Sequence, residues 1–230
     1  MKLYIGNKTY SSWSMRPWVL MHAKNIAFEE VFVPFDSFEE TSEFKQTMSA
    51  LHPMSSVPAL AAEGLLIGDS LAIADYLAEA YPQAGIWPDE RLMRAKAREL
   101  AAIMHSGFGA LRDHCLMNIG ADLVAVGQDL YEKHDGLRRD LARLEAVLAP
   151  FLREDSSAGD FLCGEFSAAD AFYAPVMTRI ETYGLPVSSR LAAYQQRVLS
   201  HAAVRAWYEL ALAENIFLDF EEPYRSWPNK

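Results

Sequence analysis

The chain has 230 residues, 51% of them apolar, and a formal net charge of −10, which suits one large packed domain or two modest ones. The acidic balance, with Lys and Arg scattered in ones and twos, argues against a nucleic-acid surface, which needs clustered positive charge. No apolar run approaches membrane-spanning length, MKLYIGNKTY lacks the apolar region of a signal peptide, and Cys115 and Cys163 show no CxxC spacing, so the sequence predicts a protein of the reducing cytoplasm without a disulfide framework or metal site.

In chain order, residues 2–6 and 27–33 read as strands with a helix over 15–24 between them, a βαβ unit. The polar stretch 35–50 holds a short irregular helix. Residues 57–61 and 65–67 flank Glu63-Gly64 and predict a β-hairpin. Asp69-Ser70 then opens a helix with Leu71, Ile73, Ala74, Leu77 and Ala78 at helical spacing. The stretch YPQAGIWP, with two prolines and a glycine, reads as a linker. Beyond it the β signal disappears, and 89–116, 121–134, 137–152, 167–183, 188–199 and 202–215 read as helices rich in Ala, Leu, Arg and Glu. The predicted fold class is α/β plus all-α: a small α/β domain over 1–84 and a helical domain over 85–230.

The run YSSWSMRPW sits where the first strand hands over to the first helix. A helix start carries free N–H groups and partial positive charge and so favours an anion. Serine can donate a hydrogen bond to the same anion, and a thiolate held there becomes a nucleophile. Serine also caps helices very often, and on this segment alone capping is the stronger reading. Val57-Pro58 falls at a strand start, where proline's missing N–H is tolerated. Ser167-Ala168-Ala169-Asp170 is a capping-box signature and carries no chemistry.

Four places together resemble the glutathione transferase superfamily, across essentially the whole chain. They are Ser11 five residues before Arg16, SSVPAL at 55–60, GDSLAIADYLAE at 68–79 and FSAADAFYAP at 166–175. The first run is closest to the bacterial zeta-like, serine-type pattern, from which the chain departs by carrying Trp13 where that pattern has cysteine. The resemblance implies a thioredoxin-like N-terminal domain, a helical-bundle C-terminal domain, a likeness to cytosolic homodimers, and glutathione as co-substrate. It implies Ser11, with Ser12 second, as the group that holds the thiolate. It implies a cis Pro58 that turns the Val57 backbone toward the cysteinyl part of glutathione, Asp69 and Ser70 at the γ-glutamyl end, and Ser56 and Lys45 near the glycyl end. Arg16 reads as structural.

The first helix of the second domain is expected to wall the electrophile site. On it His105, Phe108, Gly109 and Arg112 fall at helical spacing on one face; with Trp13 they suit an anionic or carbonyl substrate, and the alternative reading is that His105 packs and Arg112 makes an interhelical ion pair. The implied function is activation of glutathione for attack on small electrophiles, a detoxification role. The alternatives are an isomerase of the maleylacetoacetate type and a non-catalytic glutathione-binding module. A thiol with a pKa near 8.5 is only about 3% ionised at pH 7, and lowering that pKa by two units needs about 2.7 kcal/mol. A hydroxyl bonded to the anion contributes about 1.5–3 kcal/mol and a helix N-terminus about 0.3–1 kcal/mol. These parts suffice without a metal. The tail EEPYRSWPNK reads either as a frayed end or, through Tyr224 and Trp227, as a segment folded over the cleft.

Overall fold

The computed structural model describes residues 1–152 and 161–226, so the sequence expectation for Trp227 lies outside the described residues. Strand β1 (Lys2–Ile5) places Leu3 and Ile5 fully inside. It pairs in parallel with β2 (Glu29–Phe32) and antiparallel with β3 (Ala59–Ala62), with Leu3 opposite Glu30 on one side and Leu60 on the other. Strand β4 (Leu65–Ile67) completes a four-stranded mixed sheet in the order β2-β1-β3-β4. A parallel pair cannot be joined by a tight hairpin, and helix α1 (Ser12–Ala23) makes that crossover. Glu63 and Gly64, both at positive φ, form the two-residue turn between β3 and β4, matching the right-handed twist of the strands. Helices α2 (Glu43–Ser49) and α3 (Ser70–Ala80) complete the N-terminal part.

Residues 81–90 lead into an all-helical region. It comprises α4 (Arg91–Ser106), α5 (Gly109–His114), α6 (Val124–Lys133), α7 (Asp135–Leu148), α8 (Ala168–Tyr183), α9 (Ser189–Ser200) and α10 (Ala202–Glu214). Every residue of α8 except Glu181 is buried, because α1, α4, α6 and α9 surround it. This is the helix that opens with the Ser167–Asp170 capping box. The core runs without a break from the sheet through Trp18 to Trp207, whose rings meet edge-on at 5.2 Å.

One predicted helix, 89–116, is two. Gly107 and Phe108 interrupt it, with Phe108 in the left-handed region at φ +57. Its ring is 99% buried beside Tyr173, so burial of a large aromatic holds a backbone conformation that L residues disfavour. The helix is broken there, yet His105 and Arg112 still reach the same Trp13 ring, at 5.1 and 5.7 Å.

The end of α10 and the tail beyond it pack back on the N-terminal part. Glu214 accepts the Lys8 and Thr9 N–H groups at 2.7 and 3.3 Å. Tyr10 donates its hydroxyl to Glu222 at 2.8 Å, and Leu218 N–H reaches Tyr10 Oη at 3.3 Å. Glu222 is buried, accepting also from Asn118 and Arg225. Tyr224 donates to the His114 carbonyl at 2.8 Å.

Candidate active site

The turn between β1 and α1 is fixed by the Asn7 carbonyl, which accepts the N–H groups of Tyr10 and Ser11 at 3.1 and 2.7 Å. Ser11 is therefore the N-cap residue of α1, yet its side chain caps nothing. Its hydroxyl lies 2.7 Å from Ser14 Oγ, which also accepts the Gly6 N–H at 3.3 Å. The N–H groups of Trp13 and Ser14, in the first turn, meet no acceptor among the described residues. The helix end is open, with its positive potential directed outward. Ser12 faces the other domain: its Oγ accepts from Arg179 Nη2 at 3.3 Å. Arg179 is itself held by the Cys115 and Pro175 carbonyls at 2.7 and 3.0 Å.

These groups border a cavity of about 470 Å³ between the two regions. Ser11, Ser12 and Trp13 come from α1, Lys45 from α2, and Ser56 and Val57 from the loop before β3. Arg112 and Asp113 come from α5, Arg179 from α8 and Glu221 from the tail. The Val57–Pro58 bond is cis, and Val57 stays outside the sheet ladder, which begins at Ala59. Lys45 Nζ donates to the Ser55 carbonyl at 3.2 Å. Phe38 and Phe220, both partly exposed, meet edge-on at 5.3 Å, joining a loop of the sheet domain to the tail. A larger cavity of 810 Å³ lies against the outer edge of the sheet near Leu65 and Tyr81, but it holds no open helix end and no arginine.

The remaining residues singled out from sequence stand beside the cavity and do not line it. Asp69 caps α3, accepting the Leu71 and Ala72 N–H groups at 2.8 and 3.0 Å through Oδ1, while Oδ2 lies 3.3 Å from His105 Nε2. Ser70 is buried, with Arg16 Nη1 at 3.5 Å from its hydroxyl. Arg16 stacks on Trp13 at 4.0 Å, and His105 meets the same ring edge-on at 5.1 Å. Asp69, Ser70, Arg16 and His105 thus fix Trp13, which does face the cavity. One expectation is corrected here: Phe108 belongs to the core, because the break at Gly107 turns its ring inward. His105 packs against Trp13 and does not itself line the cavity.

The site is electropositive. Burial, and then the charges of Arg179 and Arg112, press the Arg16 guanidinium down to about 9, and burial likewise lowers Arg179 to about 10. Both remain cations at neutral pH. Burial also lowers the His105 pKa, against the opposing pull of Asp69, so at neutral pH the ring is mostly uncharged. Three residues at or behind the cavity were missed from sequence or left without a role. Ser14 stands behind Ser11. Arg179 is a charged residue inside the apolar stretch AFYAPVMTRI, and that isolation was a usable signal. Glu221 lies in a short 3₁₀ turn, Asp219–Glu221, where no periodicity exists to read.

Residues 10–80 match the glutathione S-transferase N-terminal domain family and residues 128–210 match the glutathione S-transferase C-terminal domain family. No curated protein matches the chain in sequence. Among solved structures, a glutathione transferase homolog from Burkholderia, crystallised with bound glutathione, is similar at 23% identity and a TM-score of 0.67, over 92% of this chain and 97% of that one. A sphingomonad glutathione S-transferase complexed with glutathione is similar at 22% identity and a TM-score of 0.65, over 92% and 98%. A maleylacetoacetate isomerase from Methylobacterium extorquens, with malonate and glutathione bound, is similar at 26% identity and 0.65, over 92% and 97%. Among the described residues no His, Cys, Asp and Glu group is placed to hold a metal, and no helix is long and apolar enough to cross a membrane. With a mixed four-stranded sheet, a helical second region and both family domains matched in order, the chain belongs to the glutathione transferase superfamily.

Proposed function

We propose that this protein is a serine-type, zeta-like glutathione transferase in which Ser11 holds bound glutathione as a thiolate for attack on small electrophiles. The observation that carries the reading is the open end of α1: an N-cap serine that does not cap, beside two unpaired N–H groups and a cavity. In the free protein the Ser11 hydroxyl is bonded to Ser14, but a hydroxyl pair can reverse its direction at little cost. Ser14 then donates to Ser11, Ser11 donates to sulfur, and the Gly6 N–H still satisfies Ser14 Oγ. The chain of donors strengthens the terminal bond. Ser12, whose oxygen accepts from Arg179, is the second donor.

Val57 offers backbone groups for the cysteinyl part of glutathione, Lys45 and Ser56 suit the glycyl carboxylate, and Asp69 with Ser70 suits the γ-glutamyl end. Trp13 and Arg112 form the electrophile wall. A cationic wall favours an anionic or carbonyl electrophile, and with the similarity to an isomerase crystallised with malonate it supports a second reading, a glutathione-dependent isomerase. Exposed Leu51, Met54, Leu65, Leu92 and Met93 support a homodimer, and the usage of cysteine supports the cytoplasm. The test is the thiolate absorbance of glutathione titrated against pH with protein present. An apparent pKa about two units below the free value, lost in Ser11→Ala, supports the reading. Binding without a shift leaves a non-catalytic glutathione module.

A further inference from the structure

Two neighbouring glutamates of the tail behave oppositely. Glu222 is buried and engaged by Tyr10, Asn118 and Arg225, which pins the tail to both domains. That anchor fixes the residue before it. Glu221 lines the cavity that holds Ser11 and Ser12, and its carboxylate has no hydrogen bond or ion pair among the described residues. A carboxylate held beside a thiolate site, with the nearby charge of Arg179 acting on it but no hydrogen bond holding it, is suited to proton transfer. We propose that Glu221 is the proton acceptor of the site, taking the thiol proton of glutathione and later delivering it to the electrophile-derived carbanion. This rests on the glutathione-activating reading above and adds the group that manages the proton.

The step balances without a further reactant. The S–H bond breaks, its electron pair stays on sulfur, and an O–H bond forms on Glu221. In conjugate addition to an activated double bond, the S–C bond forms while the double-bond pair moves to the adjoining carbon. That carbon takes the proton back from Glu221, and the carboxylate is regenerated. Other groups at the cavity are poorly suited. Arg112 and Arg179 are permanent cations, Lys45 is bonded to the Ser55 carbonyl, and Asp113 is exposed. Tyr10 donates to Glu222, and burial raises its pKa further. Burial also pushes Glu221 up to about 7, with Glu222 adding to the rise and Arg179 opposing it. The acid and the thiol are thus matched near neutral pH, as efficient proton transfer requires.

The experiment measures protons released per glutathione bound at pH 7.5, in weak buffer with an indicator dye, for wild type, Glu221→Gln and Glu221→Asp. At pH 7.5 Glu221, at about 7, is mostly ionised before glutathione binds; the negative thiolate formed beside it raises its pKa further, so wild type keeps the thiol proton on Glu221 and releases few protons. The Gln variant, which keeps shape and cannot accept, releases several-fold more, and Asp falls between them. In the same samples, turnover of a conjugate-addition substrate drops at least tenfold in the Gln variant, and the acid limb of its pH profile near 7 disappears. Equal proton release in wild type and Gln, with the thiolate still formed, overturns the role of Glu221 and leaves Ser11 untouched. Failure of the wild type to bind glutathione or form the thiolate overturns both.

Discussion

Helices α1 and α8 both begin at a serine, and the two ends could hardly differ more. At α8 the capping groups engage one another: buried Asp170 accepts the Leu162 and Ser167 N–H groups at 3.0 Å each, the Ser167 hydroxyl at 3.2 Å and the Tyr194 hydroxyl at 3.0 Å. At α1 the N-cap hydroxyl is turned toward another serine, and the N–H groups of Trp13 and Ser14 have no acceptor among the described residues. A saturated helix start contributes to folding and has nothing left for a ligand. An open one forgoes about 1 kcal/mol of capping and keeps its donors for an anion. Helix-start serines are therefore distinguished by what their neighbours leave unpaired.

The strongest way to break the contrast is at α8. Asp170→Ala leaves four donors without an acceptor in a buried site, and each buried unsatisfied group costs about 1–3 kcal/mol before relaxation. With partial relaxation the expected loss is about 3–5 kcal/mol of stability, measured by urea unfolding. The thiol pKa of glutathione bound to the remaining folded protein stays put. A shift in that pKa would mean that the two helix ends are coupled.

Next is Ser11→Ala, whose effect lies in the chemistry. Loss of about 1.5–3 kcal/mol from the thiolate raises the bound thiol pKa by about 1–2 units and lowers kcat/KM by about 10- to 150-fold. Stability changes little, because the side chain caps nothing. If unfolding shows a loss of a full capping contribution while the thiol is unaffected, Ser11 is a structural serine after all. Ser167→Ala is smaller again: about 1 kcal/mol of stability, read as a lower urea midpoint, with no kinetic effect.

Much of this was legible in the sequence, for identifiable reasons. The hairpin turn at Glu63-Gly64, the capping box at Ser167 and the helix opening at Asp69 are local signals, and local physics made each of them. Ser11, Ser12, Trp13, Lys45, Ser56, Val57 and Arg112, all named from the sequence, line one cavity. The misses are non-local. Helical periodicity runs straight through Gly107 and Phe108, because the break depends on burying a phenylalanine against Tyr173, a residue 65 positions away. Glu221 reaches the site only because Tyr10 and Asn118 hold its neighbour. Spacing along the chain carries no record of that anchor.

The smallest expected effect sharpens the comparison most, because it asks whether α1 has any internal order of its own. Ser14 is wholly buried and touches no cavity, so by position alone it should matter to glutathione no more than Ser167 does. Yet it is the partner of the Ser11 hydroxyl at 2.7 Å. If Ser14 donates to Ser11 when the thiolate is bound, Ser14→Ala weakens the terminal bond by a fraction of its strength. The expected result is a rise of a few tenths of a unit in the thiol pKa and a two- to fourfold loss of turnover, about 0.4–0.8 kcal/mol. In the Ser11→Ala background the same change should leave the thiol pKa unmoved, since the link to sulfur is already cut. A double-mutant cycle on the thiol pKa therefore separates a relay from simple packing: additive effects mean that Ser14 acts through the fold, and a vanishing second effect means that it acts through Ser11.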